Sequence, residues 1–440
     1  MHSDKHNAEV IVIGGGVAGL AAAAFVGRYG KKVRLFEQSH ALGGRAQTRQ
    51  QEGFYLNIGP HALYRGGRGI EVLRELGVHP RGRVPSVSGG FAIKDGIKHT
   101  FPAGAISLFT TSLFGLSAKL ETARLLRSIG SLDGTDLMDV SVSEWLDQTF
   151  SHRGVKEFVL AAIRVASYTN APDLMSAGAA IEQLKEAFTK GVLYLDGGWQ
   201  TLVDELRKVA LSAGVTIETG ARVDAVTRDA TGGVAGVRLA EGCEIEAPTV
   251  IIASNPSTAL RLVEGADRTS ISKWVNWAIP VNAACLDVAL SHLPIPKATF
   301  ALGVDRPLYL SVHSATARLA PQGSALIQTA KYLPPNDRDS ADEIERELEG
   351  LLDLVQPGWR EAIVYRRFLP DMVVMNGMPL ASFEGMRGRP NPRVDDVRGL
   401  FVAGDWVGNE GLLVDAALAS ARAAAQMIAA SPAPAIAAAV

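Results

Sequence analysis

The sequence predicts an α/β fold, and three stretches carry that expectation. Near the N-terminus a β-branched run, Val10-Ile11-Val12-Ile13, enters a glycine turn and then an alanine-rich stretch. A second strand-like run, Lys32 to Glu37, follows after a helix-length interval. Near the C-terminus, Gly399-Leu-Phe-Val-Ala-Gly404-Asp405 leads through Gly411 into an alanine-rich helix expected over about 414–430. Strands that alternate with helices in this way form parallel sheets with helices on their faces.

In the first element, Gly14, Gly16 and Gly19 occupy the spacing G-x-G-x-x-G between strand and helix. The first glycine permits the tight turn, the second lets a pyrophosphate approach the backbone, and the third lets the helix pack close on the strand. Val17 and Ala18 open the helix, whose free N–H groups and partial positive charge favour an anion by roughly 0.5–2 kcal/mol. Glu37 stands at the end of the second strand, 18 residues after Gly19. A carboxylate there accepts hydrogen bonds from ribose hydroxyls and repels a 2′-phosphate, which disfavours a NADP-type ligand. The first sixty residues therefore read as a Rossmann-type site for an adenine dinucleotide.

Composition bounds the rest. The 440 residues are enough for two to three domains at about 150 residues each. Hydrophobic residues at 47% and charged residues at 20% exclude a disordered or collagen-like chain. Forty-four Lys and Arg against 46 Asp and Glu leave a net charge of -2, so general nucleic-acid binding is not expected. Two cysteines, Cys243 and Cys285, cannot build a disulfide framework or a cysteine-rich zinc site, and a cytoplasmic location fits. No histidines stand at metal-ligand spacing with carboxylates, so no metal site is indicated.

Two uncharged runs bear on membranes. Val10 to Gly27 is interrupted by five glycines and reads as strand, turn and helix rather than as a signal or a span. In the second, Phe101 to Ala118 and just beyond it, Ile106, Phe109, Leu113, Leu116, Leu120 and Ala123 step by three and four along one expected helix. That stripe either packs on the core or meets a bilayer surface or an apolar substrate entrance through residues 101–120. No segment is expected to span a membrane.

After Glu37 come Gly43-Gly44-Arg45 and then Gly53-Phe-Tyr-Leu-Asn57-Ile-Gly59-Pro60-His61. On these residues, and on the Gly404-Asp405 segment, the chain resembles the flavoprotein superfamily that includes phytoene desaturases, protoporphyrinogen oxidases and flavin amine oxidases. It is most similar to the bacterial phytoene-desaturase-like proteins. The resemblance implies non-covalent FAD, with Gly43, Gly44 and Arg45 around the pyrophosphate and Gly59, Pro60 and His61 approaching the flavin ring. It also implies that Val223 meets the adenine through its backbone and that Asp405, after Gly404, meets the ribitol or pyrophosphate. Gly411, Leu412 and Leu413 would bring a helix N-terminus beside the flavin N1 and O2. Leu193-Tyr-Leu-Asp-Gly197-Gly198-Trp199 resembles the superfamily's Tyr-Pro-x-Gly-Gly segment, with Asp196 in place of the usual proline. Elementary chemistry agrees at two points: a guanidinium pairs with phosphate oxygens, and a helix N-terminus stabilises the charge that develops on reduction.

The implied organisation is a discontinuous FAD-binding domain of residues 1–75, 190–272 and 385–430. Residues 76–189 and 273–384 would form an α+β substrate domain with a mixed sheet and helices, and 431–440 a disordered tail. The implied activity is dehydrogenation of an apolar or polycyclic small molecule by hydride transfer to flavin N5, with oxygen, a quinone or another acceptor taking the electrons. Trp274, Trp277, Phe300, Tyr309, Tyr332 and Phe383 are candidates to line an apolar pocket. His61 has two readings, a structural turn residue or a base or hydrogen-bond donor near the flavin.

Two other functions share the superfamily. A flavin amine oxidase usually holds its amine between aromatic rings, one of them just after the Gly-Asp segment, where this chain has Gly411-Leu412-Leu413-Val414. A prenyl-carrier of the GDP-dissociation-inhibitor type need not keep the Gly-Gly-Arg and Gly-Asp segments together. A second G-x-G-x-x-G and a G-x-S-x-G nucleophile elbow are both absent from the sequence.

Overall fold

In the computed structural model, which describes residues 8–430, five parallel strands form one sheet. Val10–Ile13 lies at its centre, with Val33–Glu37 and then Thr216–Thr219 on one side and Thr249–Ile252 and then Leu400–Val402 on the other. Numbered along the chain, the order is 3-2-1-4-5, so the winding reverses between Val10–Ile13 and Thr249–Ile252. In open α/β sheets the crevice outside the C-terminal strand ends at such a reversal is where ligands bind.

The local sequence explains the central strands. Val10–Ile13 and Val250–Ile252 are runs of β-branched residues buried throughout, as parallel strands covered on both faces require. The helix Val17–Arg28 follows the glycine turn and packs against the last helix, Leu413–Ala430, and against the helix Gln200–Ser212. Ala21 to Ala24 and Ala421, Ala424 and Ala425 are fully buried at these contacts, where short side chains let the helices approach closely. Leu413–Ala430 is long and apolar enough to cross a bilayer by length and composition, yet its inner face is in this core.

A second, seven-stranded sheet is mixed. Its order runs Ile363–Met375, Val281–Leu290, Ala325–Leu333, Leu308–Val312, Phe300–Gly303, Phe91–Lys94, Ile97–Thr100. All neighbours are antiparallel except Phe300–Gly303 with Phe91–Lys94. Helices between Ala105 and Lys190 build a separate apolar cluster beside this sheet. The expected α/β class with a mixed second sheet and helices is the architecture found.

Three expectations need correction or comment. The stripe from Ile106 to Ala123 does not lie on one helix: Ala105–Thr110 and Leu116–Ser128 are separate. The run Thr110-Thr111-Ser112 is poor in helix formers, and the Thr111 hydroxyl donates to the Thr100 carbonyl at 2.7 Å and accepts from Leu113 N, offering the backbone another arrangement. Phe114 then turns into the helical core, while Ile106, Phe109, Leu116 and Leu120 stay exposed, at 83%, 75%, 71% and 55%. The six candidate pocket aromatics are dispersed. Trp274 packs on Trp406 under the parallel sheet, Trp277 on Phe383, and Phe300, Tyr309 and Tyr332 in a third cluster. The expected tail, 431–440, lies outside the described residues.

Candidate cofactor and active site

A cavity of about 600 Å³ opens at the C-terminal end of the parallel sheet, at the winding reversal. Gly14, Gly16, Val17 and Ala18 line it where the first strand meets the first helix, and no side chain caps that helix. Glu37, Ser39, Arg222 and Val223 line one region, and Gly43, Gly44, Arg45, Gly404 and Asp405 another. Ile58, Pro60, His61, Tyr168, Trp199 and Met372 line a third, together with Leu413 at the start of the last helix. Segments far apart in sequence therefore converge on one space.

Four of the sequence-derived residues stand behind the wall instead of on it. A Cβ at Gly19 would run into the Gly14 carbonyl, so this glycine serves close packing of helix on strand. Gly59 has φ +75 and lies against Met372, and Leu412 is buried in the helical core. Gly411, at φ +68, accepts a hydrogen bond from Arg389. Arg45 also differs from the expectation of a free phosphate ligand: one terminal nitrogen donates to Asp405 Oδ2 at 2.7 Å and to the Val374 carbonyl at 2.8 Å. Asp405 accepts from Asn376 Nδ2 at 2.9 Å through its other oxygen.

Glu37 is held from two sides, accepting from Gly15 N at 2.6 Å and Ser39 N at 2.8 Å. The His61 ring meets Trp199 edge-on at 4.9 Å, and its Nδ1 lies 3.0 Å from the Gly59 carbonyl. A carbonyl only accepts, so in this pairing the proton is on Nδ1. Burial pulls the His61 pKa below its ordinary value, against the pull of the Gly59 and Arg45 backbones, so the ring is neutral at neutral pH.

Do these residues fit a dinucleotide? Gly16 has φ -76, a conformation open to any residue, and a Cβ there would meet nothing nearer than the Gly43 carbonyl at 4.0 Å. At Gly44 the nearest atom is Gly16 Cα at 3.9 Å. The protein's own packing does not require glycine at Gly16; a close-fitting ligand would. Trp199 Nε1, buried on the cavity wall, has no hydrogen-bond partner, and a buried donor left so costs about 1–3 kcal/mol. An acceptor-rich ligand answers both features, and a flavin dinucleotide fits them.

Sequence reasoning missed several members of this site. Trp199, Tyr168 and Asn376 line the cavity, and Tyr168 donates to the Pro60 carbonyl at 2.7 Å. Beneath the His61 segment, Asp287 is fully buried and accepts from Arg367 Nε at 3.0 Å and Gln328 Nε2 at 2.9 Å. Arg367 also donates to the Asn57 carbonyl, and so ties the second sheet to the Asn57–His61 segment. Nearby, His313 stacks on Tyr194 at 3.9 Å, and burial pushes its pKa down to about 3 from 6.5. Between those values the unfolded chain binds a proton that the folded one refuses, so stability falls as pH drops from about 6.5 towards 3. The slope approaches about 1.4 kcal/mol per pH unit for this group. Urea titrations across that range should show a shallower pH dependence in His313→Phe, which keeps the stacking and loses the titration.

Residues 17–429 match the family described as flavin containing amine oxidoreductase. Among curated proteins, the chain is 26% identical over 280 residues to a 4,4′-diaponeurosporene oxygenase of Staphylococcus aureus (strain USA300), covering 55% of this chain and 54% of that protein. The chain thus spans about half the length of the curated relatives it matches. Among solved structures, an oxidoreductase from Methanosarcina mazei superposes with a TM-score of 0.73 at 21% identity, covering 95% of this chain and 99% of that one. Wild-type putrescine oxidase bound to putrescine gives 0.73 at 17% identity, covering 97% and 99%. At these identities the two structures speak for the fold.

Proposed function

Because the chain belongs to the flavin containing amine oxidoreductase family, we propose that the cavity holds FAD without a covalent bond and that the protein dehydrogenates an apolar or polycyclic small molecule. The observation that carries this reading is the meeting of the glycine turn, Gly43–Arg45, Asp405 and His61 around one cavity. The FAD-binding domain is residues 1–75, 190–272 and 385–430, and residues 76–189 and 273–384 present the substrate. Bound there, FAD would supply a hydride acceptor at N5, with oxygen, a quinone or another acceptor taking the electrons.

The chain's own residues orient and exclude. Glu37 and the Val223 backbone would hold the adenosine, and the start of the first helix and Arg45 the pyrophosphate, with Asp405 keeping Arg45 in place. Ile58, Pro60, Ala62, Met372 and Val374 give the region around His61 apolar walls that exclude water. Neutral His61 accepts a proton from the substrate if the reaction releases one there. Hydride transfer from an activated C–H otherwise needs only proximity and orientation.

Those apolar walls, and the lack of an aromatic residue at Gly411–Val414, favour this reading over amine oxidation. Anaerobic mixing of the FAD-loaded protein with polyene and polycyclic candidates should bleach the flavin absorption. Peroxide release on putrescine or aryl amines, with no bleaching by apolar compounds, would transfer the assignment to amine oxidation.

An apolar substrate is also reached from a lipid surface, and the exposed Ile106, Phe109, Leu116 and Leu120 offer contact through residues 101–120. Ile106→Ser/Phe109→Ser should release the protein from sedimenting liposomes without changing its FAD content. Equal sedimentation of the variant would leave the patch without that role.

A further inference from the structure

Behind the Gly404–Leu413 segment lies a buried arginine that the site as described does not use. Arg389 is 7% exposed, and one terminal nitrogen donates to the Gly411 carbonyl at 2.8 Å. Its Nε and other terminal nitrogen have no hydrogen-bond partner. Burial lowers its pKa to about 10, which leaves it protonated at neutral pH, and the charge that draws it back is Asp405. Asp405 is already bonded to Arg45 and Asn376. Arg389 thus has no carboxylate partner of its own among the described residues, and its charge is left uncompensated behind the Gly411–Leu413 turn.

A clamp on Gly411 alone would not need this charge, because a neutral amide donates to a carbonyl equally well. The turn that Arg389 holds is itself unusual. Gly411 has φ +68 and Leu413 φ +55, and a leucine in the left-handed region is strained. Leu413 lines the cavity and opens the last helix, so the turn aims that helix N-terminus at the ligand. Strain and uncompensated charge at one place point to an anionic partner there.

Resting on the FAD reading, we propose that Arg389 is a positioning residue whose buried charge, acting with the Gly411–Leu413 turn, favours the reduced, negatively charged state of the bound flavin. In the step concerned, the substrate C–H bond breaks, and the hydride carries two electrons and one proton to N5. The ring system gains one negative charge, and the oxidised substrate loses its second proton to a base or to water. A cation placed behind the helix N-terminus lowers the free energy of the charged product and leaves oxidised FAD nearly unaffected.

The test compares wild type, Arg389→Gln and Arg389→Lys, each loaded with FAD, by sulfite titration and by dye-equilibrated midpoint potential. Sulfite adds at the same N5 and also leaves the ring negative, so it reports the charge without any substrate. Arg389→Gln, which can still reach Gly411, should bind sulfite roughly tenfold more weakly and show a potential about 30 mV more negative, the same factor for a two-electron couple. Arg389→Lys should stay within about threefold of wild type, and oxidised FAD affinity should hold within the same margin in both variants. Unchanged sulfite binding and potential in FAD-loaded Arg389→Gln would overturn the inference. So would a loss of oxidised FAD affinity as large as the loss of sulfite affinity, since that assigns the charge to the pyrophosphate. If Arg389→Gln retains no FAD, Arg389→Lys decides: sulfite affinity within threefold supports the charge role, and a tenfold fall overturns it. A wild type that takes up no FAD fails earlier, at the reading on which the inference rests.

Discussion

Gly16→Ala is expected to fold as wild type does and to lose most of its FAD. The new methyl group meets no protein atom nearer than the Gly43 carbonyl at 4.0 Å, and φ -76 suits alanine. Stability should change by less than about 1 kcal/mol, the scale of exchanging residues at a helix start. The same methyl group projects into the cavity where a pyrophosphate must approach the backbone, and FAD affinity should fall roughly tenfold to a hundredfold, about 1.4–2.8 kcal/mol. Its neighbours in the motif behave differently. At Gly14 the backbone is at φ +109 and a Cβ would lie 2.6 Å from the Ala253 carbonyl; at Gly19 it would strike the Gly14 carbonyl. Those two alanine variants should lose about 2–4 kcal/mol of stability whether or not FAD is present. Urea unfolding of the apo proteins, read beside FAD titrations, separates the classes. If Gly16→Ala were as unstable as Gly14→Ala, or bound FAD normally, the ligand-facing role of Gly16 would be wrong.

Asp287→Ala should be the most destabilising single change near the site, by about 3–5 kcal/mol. The carboxylate is fully buried, and its loss strands the Arg367 guanidinium, which is only 16% exposed, with the Asn57 carbonyl as its remaining named partner. The double variant Asp287→Ala/Arg367→Met removes both charges and should be less destabilised than Asp287→Ala alone, because no buried charge is left unpaired. The pair also joins the second sheet to the segment that carries His61, so FAD affinity should weaken in Asp287→Ala even where the protein remains folded. A loss below about 1 kcal/mol would mean that the ion pair is not the link between sheet and segment.

The difference between Gly16 and Asp287 shows what can be read from sequence. Gly14 and Gly19 are legible because each answers a local demand of a strand–turn–helix, Gly16 because the motif spacing ties it to them, and Glu37 because its strand end follows at a fixed interval. The central parallel strands are legible for a similar reason: runs such as Val10–Ile13 and Thr249–Ile252 have no polar face to show to water. The Asp287–Arg367–Asn57 link is not legible, since Arg367 and Asn57 are 310 positions apart and only the packed sheet brings them together. The same holds for Arg45 and Asp405, 360 positions apart, whose ion pair forms only in the folded chain.

The misreadings have equally specific causes. A spacing of three and four over residues 106–123 is necessary for one helical stripe, but it is not sufficient when Thr110-Thr111-Ser112 offers the backbone a competing hydrogen-bond pattern. Only their chemistry groups the candidate pocket aromatics. Tyr309 and Tyr332 do share one cluster with Phe300, while Trp274 belongs to another, under the parallel sheet. Hydrophobicity tells that most such residues are buried, although Phe383 stays 43% exposed; it does not tell which core receives them.

The most direct measurement is the visible absorption spectrum of the purified protein, recorded before and after heat release of any bound chromophore. The account predicts flavin bands near one equivalent per chain, released into solution as FAD without proteolysis. A colourless protein that also fails to take up added FAD would contradict it, and the cavity would then belong to a carrier of a different ligand.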